Sequence, residues 1–244
     1  MSEKTSAGAA LAVPLWDSTP SGWDDPRWAA LPGRSLVDAE TGAAPRMSTL
    51  VQAASTDGFL WVRFTAEAAE IRVTMTRYKD KVWQEGAVEV YLRPPGDPCL
   101  YEFQVSPIGT VRDLRVHDPG GPVQVFDDSW SCAGWVTDAR IRRDAQRNVC
   151  GWDAVFGIPW GAFGASVPAG GDGRWRIGAF RLEWDPDEFS ALRAGGGGDP
   201  HGEDFLVDMA LAPSMEHGGP ANRMSIIAPT AMLPRDAGGE IRAW

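Results

Sequence analysis

The stretch YKDKVWQEGAVEVYLRP, residues 78–94, contains the clearest strand pattern in the chain. Apolar and polar residues alternate through its second half, and successive side chains of a strand point to opposite faces. Val88, Val90 and Leu92 therefore share one face, while Glu89 begins the other. The pattern predicts a strand with one face in a hydrophobic core and one polar face, which is either solvated or a binding site.

Short alternating runs of the same kind occur along most of the chain. STLVQAAS (48–55) and FLWVRFTA (59–66) flank an Asp-Gly pair, which predicts a tight hairpin turn. The turns contain Gly and Pro, and no alternation of strands with helices is visible. The sequence thus predicts an all-β, antiparallel β-sandwich of the jelly-roll or immunoglobulin-like kind. Further strands are predicted at 70–75, 87–93, 100–106, 109–116, 135–143, 149–158 and 174–184.

Two segments carry helix signals instead. Asp185 can act as an N-cap and Pro186 suits a first helical position, so we predict one short helix near 186–194. Asp25 and Pro26 predict a helical turn by the same reasoning. We divide the chain into an irregular N-terminal extension, a sandwich domain that binds a ligand and an irregular C-terminal tail, at 1–30, 31–228 and 229–244.

Charge and composition narrow the classes of function. The chain has 244 residues, with 23 Lys plus Arg against 33 Asp plus Glu. This net negative charge repels phosphate backbones, so we expect no nucleic-acid partner. No apolar run approaches the roughly 20 residues that a membrane-spanning helix needs, so we expect no membrane partner either. The twelve Trp residues provide flat apolar surfaces that suit ligand stacking as well as cores.

The cysteines and the N-terminus bear on the compartment. Cys99, Cys132 and Cys150 are scattered, which favours free thiols in a reducing compartment, although a Cys132–Cys150 pair remains an alternative. The N-terminal residues contain only a short, weak apolar run without a convincing cleavage signature. We therefore expect a cytoplasmic protein, with secretion as the alternative. The oligomeric state is left open.

Five segments, spread over roughly residues 30–210, occur in an order that resembles a known family. They are TDGFLWVRFTAEA, VWQEGAVEVYLRP, YEFQVSPIGTVRD, WDAVFGIPWGAFG and GRWRIGAFRLEW. The chain resembles the family 9 carbohydrate-binding modules, which belong to the DOMON-like β-sandwich superfamily. This resemblance implies a β-sandwich fold and a sugar ligand.

The resemblance also implies a site. In sugar-binding members a Trp before the VEV-like strand stacks on the sugar, and a Glu on that strand binds hydroxyl groups; Trp83 and Glu89 match these positions. Gln104 stands where members often carry Arg, and Arg181 matches a recurrent Arg. Glu89, Gln104 and Arg181 would then line one concave sheet face beside Trp83. The chemistry agrees, because an indole covers the flat C–H face of a pyranose.

Departures from the family pattern keep other functions open. Gly86 replaces an acidic residue, and Trp184 is the nearest substitute for a second stacking Trp. One alternative is a stand-alone isomerase, cyclase or lyase without a cofactor, in which His201 and Glu89 act as catalytic acid–base residues. The other is a module that docks a protein partner. Each of these residues also has an interpretation without a function. Trp83 would then pack at the sandwich edge, the polar strand face would be solvated, and His201 would be a loop histidine with no role.

We expect no cofactor. No His or Cys cluster has zinc spacing. DOMON relatives include haem binders that use Met and His as ligands, and this sequence has no His at a strand position matching its Met residues. Calcium remains an alternative, because the loops at 118–121 and 126–129 offer oxygen ligands.

Overall fold

The computed structural model describes residues 10–163, 174–184 and 187–212. Within these residues the chain is all-β, with only short 3-10 helices between strands. The 3-10 helices are Pro26–Ala30, Val82–Gln84, Trp160–Phe163 and Glu203–Phe205. The strands are β1 Leu11–Val13, β2 Arg34–Ser35, β3 Val37–Asp38, β4 Thr49–Ser55, β5 Phe59–Glu67, β6 Gly86–Arg93, β7 Leu100–Val105, β8 Val111–His117, β9 Val125–Asp127, β10 Val136–Arg143, β11 Val149–Pro159, β12 Arg176–Trp184, β13 Asp187–Ala191 and β14 Val207–Leu211.

The strands form two sheets. The larger sheet has the order β1-β14-β12-β6-β7-β8-β9, with β13 paired to β12 and β3 paired to β13. The smaller sheet has the order β10-β11-β5-β4-β2. All of these pairs are antiparallel except β1–β14. The predicted all-β sandwich is confirmed, and so is the hairpin of β4 and β5, in which Ser55 pairs with Leu60.

The main core lies between the two sheets. Val88, Val90 and Leu92 of β6 are fully buried there, as the alternation predicted. Phe64 of β5 and Phe156 of β11 face them from the smaller sheet, with their ring centroids 5.5 Å apart. Burying such side chains contributes about 1.5–3 kcal/mol each, and this apolar layer holds the sheets together.

The outer faces of both sheets are covered as well. On the smaller sheet, the N-terminal residues bring Trp28 onto Trp61 and Val155 in a separate apolar cluster. The predicted helical turn is confirmed: Pro26–Ala30 is a 3-10 helix whose N-cap, Asp25, accepts a hydrogen bond from Arg27 N. On the larger sheet, residues 192–206 bring Phe205 and Leu206 onto a second cluster.

Two predicted elements were wrong. Residues 187–191 form strand β13 where a helix was predicted, because Ser190 pairs with Arg181 of β12 on one side and with Asp38 of β3 on the other. Phe189 also stacks on Phe180, with ring centroids 5.6 Å apart. Tertiary pairing thus overrides a weak local helix signal. Residues 70–75 form no strand, because the Thr74 and Met75 N–H groups donate to the Glu85 carboxylate and not to a neighbouring strand.

Candidate functional site

A polar row crosses the outer face of the larger sheet. Glu89 of β6 lies beside Gln104 of β7, which lies beside Arg112 of β8 in the strand register. Glu89 and Gln104 are each only 2% exposed. The polar face of the VEV strand is therefore not solvated. It is buried beneath the chain that covers this sheet.

Glu89 is the carboxyl group of this row. Burial raises its pKa well above the ordinary value, and the nearby Glu102 carboxylate adds to the effect. Tyr91 Oη donates a hydrogen bond to Glu89 Oε2 at 3.0 Å, which opposes the shift. Gln104 Nε2 donates to Glu102 Oε1. A buried carboxyl group next to a second one favours its neutral form.

His201 packs over the same face. Its Nε2 lies 3.1 Å from Glu102 Oε2, and its Nδ1 lies 2.9 Å from Asp199 Oδ1. The imidazole stacks on the Tyr91 ring at a centroid distance of 5.2 Å and meets the edge of Phe126 at 5.0 Å. Burial lowers the pKa of His201, but the hydrogen bonds and charges of the two carboxylates raise it further, so the net shift is upward.

The two residues of the acid–base hypothesis, His201 and Glu89, therefore lie on one face, and both contact Tyr91. His201 is not an isolated loop histidine. Its side chain is only 14% exposed.

Arg181 lies on the opposite face of the larger sheet, which differs from the expected arrangement. In the register of β12 and β6, Phe180 pairs with Glu89, and Arg181 pairs with Val88 on the core side. The Arg181 guanidinium is buried, and it donates to Glu67 O and to Glu183 Oε2, both at 2.6 Å. Arg181 thus joins the two sheets and does not line a face with Glu89.

An open groove lies where β6 begins and β12 ends. It has a volume of about 490 Å³, within the range of small-ligand pockets. Trp184 is 67% exposed there, which makes it the most exposed of the Trp side chains that the structure describes. The sequence indicated Trp184 as a ligand residue but assigned none of the polar residues around it to the site. The lining residues are Glu70, Arg72, Gln84, Glu85, Glu183 and Trp184.

The polar walls of the groove are held in place by neighbouring groups. Glu85 accepts hydrogen bonds from Thr74 N at 2.7 Å and Met75 N at 2.9 Å. Burial raises the pKa of Glu85, but these hydrogen bonds and that of the Thr74 hydroxyl lower it by more, so the carboxylate is favoured. Glu183 is held by Arg181 from beneath. The groove therefore offers fixed acceptors beside an accessible indole.

Trp83 lies on the 3-10 helix Val82–Gln84 and is 39% exposed. Its neighbour Gln84 lines the groove, whereas Trp83 does not. The two exposed indoles thus belong to segments that meet at the same end of the larger sheet.

The fold has clear relatives among solved structures. A crystal structure from Bacteroides uniformis, of a protein for which carbohydrate binding has been proposed, superposes with a TM-score of 0.65 at 17% identity, covering 83% of this chain and 99% of that one. A family 9 carbohydrate-binding module from Caldicellulosiruptor kristjanssonii in complex with glucose superposes with a TM-score of 0.56 at 10% identity, covering 87% and 100%. The same kind of module in complex with cellotriose gives a TM-score of 0.56 at 10% identity, covering 88% and 100%.

The chain shares the fold of the family 9 carbohydrate-binding modules. The expected resemblance is confirmed at that level, since these alignments span nearly the whole of each matched structure. No family model matches the sequence, and no curated protein matches it significantly. At such low identity the likeness shows the fold alone, and the ligand must be argued from the site.

Three further observations concern the described residues. They contain no group of three or more His, Cys, Asp or Glu side chains arranged to hold a metal ion, and calcium at the loops 118–121 and 126–129 stays an untested alternative. None of the helices among them has the length and hydropathy required to span a membrane. Cys99, Cys132 and Cys150 are unpaired.

Proposed function

We propose that the protein binds a carbohydrate or polyol in the groove beside Trp184. The exposed indole of Trp184 on the groove wall carries this proposal. An indole at a groove offers a flat apolar surface to the C–H face of a sugar, and an exposed apolar surface rimmed by polar residues is typical of ligand-binding grooves.

The polar lining suits the hydroxyl groups of the same ligand. Glu85 and Glu183 are acceptors, Gln84 is both donor and acceptor, and Arg72 is a donor. A mixture of this kind can orient several hydroxyl groups at once, which is the usual division of labour in small-molecule sites. The shared fold supports the ligand class, because the Caldicellulosiruptor modules are in complex with glucose and cellotriose.

The acid–base alternative has less support. Glu89 and His201 are close together, but neither lines the groove; Glu89 is buried and His201 is largely covered. Catalysis by this pair would require a substrate to reach a covered face.

Isothermal titration calorimetry with glucose, cellotriose and a polyol such as sorbitol tests the proposal. We expect saturable heats with at least one of these ligands, and tryptophan fluorescence should change over the same concentrations. A folded protein that gives no heat and no fluorescence change with any of them would refute carbohydrate binding.

A further inference from the structure

A chain segment covers the outer face of the larger sheet, and the proposed function does not involve it. Residues 195–202, which we call the strap, cross the outer face between two anchored ends. Leu192 is buried before the strap and Phe205 is buried after it, whereas no residue between them is fully buried. The strap thus has few apolar contacts of its own.

Glycine gives the strap its conformational freedom. Gly196 and Gly197 have positive φ values of 67° and 79°, which other residues rarely adopt. A Cβ atom on Gly195 would stand 2.2 Å from Phe205 Cε2, so only glycine fits there. Segments with exposed backbone and few buried apolar contacts are the ones that open locally at low cost.

His201 connects the strap to the sheet, and Asp199 of the strap also accepts a hydrogen bond from Gln124 Nε2. The His201 ring stacks on Tyr91 and meets Phe126 edge-on, and its two ring nitrogens face the carboxylates of Glu102 and Asp199. With a carboxylate at each nitrogen, both nitrogens donate when the ring is protonated, and only one can donate when it is neutral. The geometry therefore favours the imidazolium.

Several elements pack against His201, and most of them carry a charged or titratable group. Glu102 is on β7, Asp199 is on the strap, and Glu89 lies next to Tyr91 on β6. The loop 118–121 approaches Gly202 and carries the exposed Asp118, while β9 contributes the uncharged Phe126. Arg112 is the cation of the polar row, and its guanidinium donates a hydrogen bond to the Asp128 carboxylate. The surroundings of the imidazole are acidic on balance.

We propose that His201 is a protonation-dependent latch that holds the strap closed over Glu102 and Gln104. In the closed state the imidazolium satisfies Glu102 and Asp199. When His201 loses its proton, one of these hydrogen bonds loses its donor and both lose their charge assistance, so the strap opens and uncovers the polar face. This inference is independent of sugar binding in the groove.

The direction of the pH dependence follows from linkage. The carboxylates raise the pKa of His201 in the closed state above that of the open state. Closure is therefore fully stabilised below the open-state pKa of about 6.5, and the stabilisation is lost as the pH rises through the closed-state pKa. Each unit of separation between the two pKa values changes the opening equilibrium about tenfold.

Hydrogen exchange of the strap amides between pH 5.5 and 8.5 tests the latch. After correction for intrinsic exchange, protection of residues 195–202 in the native protein should fall as the pH rises. In His201→Gln, which removes the charge, protection should be low at every pH. His117→Gln is the matched control, because His117 lies at the end of β8 and its two ring nitrogens face Cys99 and Asp127; the strap of this variant should behave as in the native protein.

Two results would overturn the proposal. One is strap protection in the native protein that is independent of pH, and the other is protection in His201→Gln that matches the native protein at pH 5.5. Should the variant fail to fold, an NMR titration of the native protein still decides. A His201 pKa at or below about 6.5 contradicts the latch, and a higher value supports it.

Discussion

Replacing Trp184 by Ala is the sharpest test of the groove, because the expected loss can be worked out from the exposed indole. A Trp side chain that is fully removed from water buries about 200 Å². Trp184 is 67% exposed in the free protein. A sugar stacked on one of its two faces would cover about half of that exposed area, or about 65 Å².

At about 25 cal/mol per Å², this area corresponds to about 1.6 kcal/mol. Trp184→Ala should therefore weaken binding about 15-fold, measured by calorimetry with the sugar that binds the native protein most tightly. Because Trp184 is exposed, the free energy of unfolding should change by less than about 0.5 kcal/mol. Urea denaturation checks that second expectation.

Trp83→Ala is the matched control. Trp83 is also exposed but does not line the groove, so we expect less than a twofold change in Kd. A loss of tenfold or more in Trp83→Ala, with Trp184→Ala unchanged, would refute the groove as the stacking site. It would instead support the position that the family resemblance indicates.

Three further substitutions and one control variant test the buried charges and the N-cap by urea denaturation. Arg181→Leu should destabilise the fold by about 3 kcal/mol, since it removes the buried guanidinium that donates to the Glu67 backbone carbonyl and to the Glu183 carboxylate. The exposed Arg174→Leu should cost less than about 0.5 kcal/mol, and equal effects would contradict the role of Arg181 between the sheets. Glu89→Gln should increase the free energy of unfolding at pH 7. A carboxyl group whose pKa is raised by folding lowers stability as the pH rises above its pKa in the unfolded chain, about 4.3. A loss of stability at pH 7 but not at pH 5 would show instead that the Glu89 carboxylate is favourable. Asp25→Ala should cost about 1 kcal/mol through loss of the N-cap of Pro26–Ala30, and no change would mean that the cap is dispensable.

Local sequence patterns were sufficient for much of the fold. The period-two alternation of β6 and the Asp-Gly turn between β4 and β5 are properties of neighbouring residues, and the structure confirms both. The N-cap at Asp25 is local in the same sense. The helix signal at Asp185 and Pro186 was equally local, but residues 187–191 pair with strands on both sides and form β13.

The sequence by itself determined the longer strands and the sandwich class. Only the tertiary structure decided which face of each strand is buried in the core and where the groove lies. Polar residues identify the solvent side of a strand only when one face of its sheet is exposed to water. Here residues 192–206 cover the outer face of the larger sheet, so both faces contain buried apolar residues. Phe180 is therefore outward-facing and buried, while Arg181 is on the core side, and the alternation of β12 could not distinguish them. The groove combines residues near positions 70, 84 and 184, and no local pattern reports that chain segments so far apart in sequence meet.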